Sequence, residues 1–257
     1  MVLLDAFPLW AVYLGTVVAV LIAAEIGFQV GRWMKRRDPE AGSPVTGTVV
    51  GGLLGLMAFL LAFSIGIVIN QHNGRKSMVV SEANAIGTAY LRAGFLTEPD
   101  RTVSRELLEE YAVVRLTGAT DEEQLESALI RSTEIHGDLW DIVEVNVQQG
   151  EESATMALYV DSVNEVIDVS SERLAAGPLR LPRLLGMVLY FATVLSFLLV
   201  GIANSGDGKR DFFALVLFAL ALVAVLMIIV DLDRPQQGLL IVSQQWMEDL
   251  IRSMTLH

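Results

Sequence analysis

Hydrophobic and polar positions divide the chain into four long apolar runs and one amphipathic stretch. The organising run is the second, Thr46 to Leu96. Its first half, Thr46 to Ile69, carries no charged residue and is long enough to cross a bilayer core of about 30 Å. Its second half is polar yet keeps a helical stripe, with Val79, Ala83, Ile86 and Tyr90 on one face. The pattern predicts one helix, or two joined at Asn73-Gly74, that leaves the membrane and continues into a water-exposed bundle. Gly51, Gly52 and Gly55 let another helix approach closely. Phe59, Phe63 and Ile67, at i, i+4 and i+8, form a bulky apolar line. Around the axis of an oligomer that line makes a hydrophobic neck, which can gate by dewetting. Elsewhere it faces lipid or a neighbouring helix.

The first run, Pro8 to Val30, reads as a span rather than a cleavable leader. No basic segment precedes it, and no small-residue cleavage site follows. Glu25 and Gln29 lie four residues apart on one of its faces. Glu25 is about 8 Å from the end of the span at 1.5 Å per residue, within snorkelling reach, and it suits a hydrogen bond to a neighbouring helix or a transport role. Asp38 to Val45 holds two prolines and two glycines and reads as a turn.

From Leu96 to Leu184 the periodicity is helical throughout. Thr97-Glu98-Pro99 predicts a helix start capped by Thr97 and a stop at Thr117-Gly118. Thr120, followed by Asp121, Glu122 and Glu123, opens the next helix, its carboxylates matching the helix dipole. Gly150 closes it, and a further helix covers Ser153 to Ala176. Leu184 to Asn204 and Phe212 to Val230 are the third and fourth spans. Asp231-Leu232-Asp233-Arg234-Pro235 follows directly. Asp231 and Asp233 are hard oxygen ligands, a weak candidate for a metal that needs several more. As structure, Asp–Arg pairing with Arg234 ends the span. The last segment, Ser243 to Met254, is amphipathic, with Met247, Leu250, Ile251 and Met254 on one face. It suits the membrane interface or the bundle surface.

The expected fold class is therefore all-α: an integral membrane protein with four transmembrane helices and a helical bundle inserted after the second. Residues 1–69 hold spans one and two, 70–183 the bundle, 184–234 spans three and four, and 235–257 the amphipathic segment. Composition agrees, at 53 % hydrophobic over 257 residues. Charge sharpens the picture. Residues 70–183 hold 20 acidic against 10 basic residues, net −10 of the chain's −12. An acidic bundle without a basic patch excludes nucleic acid as a partner. With no cysteine and three scattered histidines, neither a disulfide nor a zinc site is expected. No phosphate-binding loop, dinucleotide fingerprint or nucleophile elbow is present. The expectation is a protein that is not an enzyme and holds no cofactor.

Three passages carry a resemblance: Gly51 to Phe63 (GGLLGLMAFLLAF), Glu82 to Ala93 (EANAIGTAYLRA) and Asp231 to Pro235 (DLDRP). Together with the span spacing they resemble the bestrophin-like family of bacterial and plant four-span membrane proteins. That family is distantly related to bestrophins, which are oligomeric ion channels whose neck is lined by bulky apolar residues of the second span. The resemblance implies that Phe59, Phe63 and Ile67 form such a neck. It also implies a ring-like homo-oligomer in a lipid bilayer, here the bacterial inner membrane, with small inorganic ions as its cargo. The acidic run after the fourth span is shorter than the calcium cluster of bestrophins. The alternative is a non-conducting scaffold or sensor whose acidic bundle binds a protein. Orientation rests on two short loops holding Arg32, Lys35, Arg36, Arg37, Lys209 and Arg210. They put the loops in the cytoplasm and the bundle on the periplasmic side, opposite to the insert of bestrophins.

Overall fold

The computed structural model describes residues 7–37, 47–150, 153–205, 212–234 and 238–255. The predicted Asp38–Val45 turn, the loop with Lys209 and Arg210, Thr46 and Pro235 lie outside these. The described residues form eight α-helices and a short 3₁₀ turn, and no strand is found among them. The helices are α1 (Leu9–Arg37), α2 (Gly47–Ala93), α3 (Asp100–Thr120), α4 (Leu125–Gln148), α5 (Ala154–Ala176), α6 (Arg183–Asn204), α7 (Phe212–Asp233) and α8 (Gln245–Met254). Four of them, α1, α2, α6 and α7, are long and apolar enough to cross a membrane. The chain is an all-helical, multi-pass membrane protein. Helix α2 is unbroken over 47 residues, passing straight through Asn73-Gly74.

The chain divides into two compact units, residues 1–70 with 180–240, and residues 71–179 with 241–257. In the first, Val20, Met57, Val68, Leu189, Phe197, Val223 and Ile229 form the core. Its outer surface is bulky and apolar, with Trp10, Leu14, Val18 and Ile22 on α1 and Leu184, Met187 and Phe191 on α6. Such a surface is stable only against lipid or another protein surface. Helices α1 and α6 meet at glycines. A side chain at Gly27 would collide with the Leu198 carbonyl, and one at Gly201 with that of Ala24. The close approach of α1 and α6 is therefore made at Gly27 and Gly201. At Gly51, Gly52 and Gly55 an added Cβ meets nothing within 4 Å among the described residues. Buried hydroxyls return to their own helices, Ser64 to Leu60, Thr193 to Leu189 and Ser196 to Ala192, at 2.7–2.8 Å. In a medium without water this is the cheapest way to satisfy them.

In the second unit the predicted stripe is the buried face of α2: Val79 is buried, and Ala83, Ile86 and Tyr90 pack with Leu108, Tyr111, Ile135, Leu139 and Tyr159. Helix α8 adds Met247 and Met254 to this core, and Tyr90 donates to the Met254 carbonyl at 3.5 Å. Of its two predicted berths, α8 takes the bundle. Several predicted helix ends shift. Pro99, not Thr97, is the N-cap of α3. The helix runs past Gly118 to Thr120, because Gly118 serves packing: a Cβ there would sit 2.7 Å from the Ala128 methyl. Asp121 rather than Thr120 caps the following turn, accepting from the Glu123 amide at 3.0 Å. Gln244 takes the cap position of α8, although Ser243 accepts from the Gln245 amide at 3.3 Å. Gly150 ends α4 with φ +88°, as its position predicts. Ser153 caps α5 through the Met156 amide at 3.1 Å.

Candidate functional site

Within the first unit, α2 has two faces of opposite character. Met57, Leu61, Ser64 and Val68 recur at helical spacing and are buried. The opposite face carries Phe59 and Phe63, 66 % and 55 % exposed. Ile67, at the end of that line, is half-buried. Around the two phenylalanines the exposed positions are Gly51, Gly52, Gly55, Ala58, Ala62 and Gly66, with Leu56 beside the rings at 53 %, Val49 and Ile69 towards the ends, and Asn70 following. On α1 and α6, by contrast, the exposed face is built of large apolar side chains. A helix face made only for lipid has little reason to carry six glycines and alanines between a few protruding side chains, Leu56, Phe59 and Phe63. Such a face suits close approach by another helix, or an open passage in which only the rings protrude.

On α1, Glu25 and Gln29 are exposed and meet each other, Gln29 Nε2 donating to Glu25 Oε1 at 3.0 Å. This i, i+4 bond satisfies part of the carboxylate without leaving the helix. Arg37 at the end of α1 stacks over the Trp33 ring at 4.0 Å.

The residues after the fourth span are buried, Asp231 at 5 %, Asp233 at 2 % and Arg234 at 5 % exposed. Asp231 accepts the Leu239 and Leu240 amides at 2.9 and 3.1 Å, one on each oxygen. Asp233 accepts the Leu181 amide at 2.5 Å, and Arg234 donates to the Phe7 carbonyl at 3.0 Å. Gly238, at φ +139°, sits where any Cβ would strike the Asp231 carboxylate. The cluster is thus a knot joining the end of α7 to the start of α1, to the lead-in of α6 and to the chain beyond. Asp231 and Asp233 are capping carboxylates here. No group of three or more metal-ligating side chains occurs among the described residues.

The bundle holds a second polar centre that sequence reasoning did not assign. Glu82 is fully buried on α2. Its Oε1 accepts Arg115 Nε at 2.7 Å and the Tyr111 hydroxyl at 3.1 Å, and Arg173 donates to Oε2. Arg173 also reaches Gln244 Oε1 at 2.9 Å. Two guanidiniums thus share one carboxylate. Burial, with Glu82 beside it, holds the Tyr111 hydroxyl far above the usual phenol range. A signal existed: Glu82 lies three residues after Val79 and four before Ile86, so a carboxylate falls on the apolar stripe.

His136 completes this centre. Its ring lies 5.0 Å from that of Tyr111, and its Nε2 is buried without a hydrogen-bond partner among the described residues. Burial, then the Arg115 charge, pushes its pKa below the ordinary value of 6.5. The unfolded chain therefore binds a proton that the folded bundle resists. Stability contributed here is intact above about pH 6.5 and falls as pH drops below it towards the folded value. His136→Phe keeps the ring contact and removes the proton. Its thermal midpoint is expected to lose less than the native protein's between pH 7 and 5; parallel curves would refute this role.

A long second span with an outward bulky apolar line, a helical insert and a polar knot after the fourth span define the class: a four-span membrane protein of bestrophin fold. The model of the bestrophin-like domain matches residues 9–247, and the chain belongs to the bestrophin-like family. Among solved structures it is similar to a tryptophan-to-alanine variant of a bacterial bestrophin homologue from Klebsiella pneumoniae. The TM-score is 0.74 at 12 % identity, over 98 % of this chain and 99 % of that one. A second structure of the Klebsiella pneumoniae homologue, phased on zinc, gives a TM-score of 0.70 at 14 % identity, over 94 % and 95 %. No curated protein matches the sequence.

Proposed function

We propose that the protein is a homo-oligomeric channel for small inorganic ions. In this reading α2 surrounds the axis, and Phe59 and Phe63, followed by Ile67, form its neck. The observation that carries it is the exposed face of α2, where Phe59 and Phe63, with Leu56 beside them, protrude from a run of glycines and alanines. Membership of the bestrophin-like family supports it. Gly51, Gly52 and Gly55 then serve approach between subunits, and Glu25 with Gln29 turns to a neighbouring subunit or to lipid headgroups by snorkelling. Asp231, Asp233 and Arg234 hold the ends of the spans together.

The test is the mass of the protein in nanodiscs, followed by ion flux in liposomes. A ring of four or more subunits with flux is expected. A monomer or dimer without flux would leave the acidic bundle as a partner-binding scaffold.

Orientation is open to a direct measurement, because the chain has no cysteine. The basic end of α1 supports a reading with the bundle outside. A single Glu126→Cys in intact cells is expected to react with a membrane-impermeant maleimide, and Lys35→Cys is not. The reverse pattern would place the bundle in the cytoplasm.

A further inference from the structure

In the second unit, α2 buries Val79, Ala83, Ile86 and Tyr90. On its other side, Asn73, Ser77, Asn84 and Thr88 are exposed and Ser81 is half-buried. Their spacing of three and four places all five on one face. Each bears an uncharged hydrogen-bonding side chain. None of the five makes a side-chain hydrogen bond among the described residues. Lys76, three residues from Asn73, is exposed at the flank of this face, and beyond Thr88 the face ends in Leu91, 68 % exposed, and in Arg92, tied to Asp161 at 3.2 Å. The surfaces of the other bundle helices differ. They expose carboxylates such as Glu110 on α3, Glu134 and Asp138 on α4, and Asp161 and Asp168 on α5.

A face in contact with bulk water in this acidic unit would be expected to carry its share of that charge. A face against another subunit's apolar surface would be apolar. This one is polar, small and neutral, with its hydrogen-bonding capacity unspent. We propose that it lines a water-filled passage in the assembled protein, where amide and hydroxyl groups hold small hydrated ions of either sign. Asparagine offers a carbonyl to cations and an NH₂ group to anions, and a hydroxyl does both. Rings of charged side chains select ions by sign. This wall has none, so it passes both signs and leaves discrimination to other parts of the path. The inference rests on the channel reading.

The test uses the full chain in nanodiscs and liposomes. Asn73→Cys, Ser77→Cys, Asn84→Cys and Thr88→Cys are each treated with a negatively charged sulfonate and a positively charged ammonium thiosulfonate reagent. Comparable modification by both reagents in the intact oligomer is expected, with flux changed on modification. Asn84→Asp adds one carboxylate per subunit and is expected to raise cation over anion permeability several-fold at unchanged oligomeric mass. Thiols that are protected in the oligomer, or an Asn84→Asp variant that dissociates, would make this face a subunit contact and overturn the proposal. Wild-type flux with unaltered selectivity in Asn84→Asp would overturn the wall and leave the channel standing. Absence of wild-type flux would overturn both.

Discussion

Glu82→Ala is expected to unfold the bundle well below the melting temperature of the native protein. The substitution removes one carboxylate and leaves two guanidiniums, Arg115 at 7 % and Arg173 at 14 % side-chain exposure, with no counter-charge at that point. Breaking a buried ion pair from one side costs about 3–5 kcal/mol, because the remaining charge stays desolvated. For a unit of this size that corresponds to a drop of roughly 10–20 °C in Tm. Glu82→Gln is expected to lose less, since its carbonyl still accepts from Tyr111 and one guanidinium. The triple replacement Glu82→Leu with Arg115→Met and Arg173→Met should recover much of the loss, because apolar groups of similar volume carry no desolvation penalty. Thermal unfolding of the purified protein decides this. A Glu82→Ala protein that melts with the native one would mean that the triad is neutral.

Removing the two rings of the proposed neck, Phe59 and Phe63, is expected to have the second large effect. In the double variant Phe59→Ala, Phe63→Ala, ion flux is expected to rise at least tenfold, equivalent to lowering the barrier by about 1.4 kcal/mol. A narrow apolar ring expels water, and an ion must shed hydration to pass it. Two methyl-sized walls per subunit widen the constriction and let it wet. Because both rings are more than half exposed in the subunit, the substitutions leave no cavity inside it and should alter its stability little. Phe63→Leu keeps a bulky apolar wall and is expected to remain close to native flux. Unchanged flux in a well-folded oligomer of the double variant would turn the phenylalanines into packing residues.

Much of the fold was legible from periodicity. The four spans were found, with ends moved by a turn or two, as at α1, which runs on to Arg37. The α2 stripe through Val79, Ala83, Ile86 and Tyr90 was legible because each helix turn must hide the same face. The glycines were legible only as small residues. Gly51, Gly52 and Gly55 form the denser cluster, yet Gly27 and Gly201, 174 residues apart, are the ones pressed against a carbonyl of the facing helix. Composition shows that a helix can be approached, but not by what.

The local sequence by itself determined helix, membrane and bundle, since hydrophobic period, capping chemistry and charge are properties of neighbours in the chain. It also set the line through Phe59, Phe63 and Ile67, which follows from register alone. The tertiary structure decided which side each face meets. Glu82 finds Arg115 and Arg173 at separations of 33 and 91 residues, and Asp233 finds the Leu181 amide at 52. A buried charge or amide must be satisfied by whatever packing brings within about 3 Å. Only the folded chain supplies that distance.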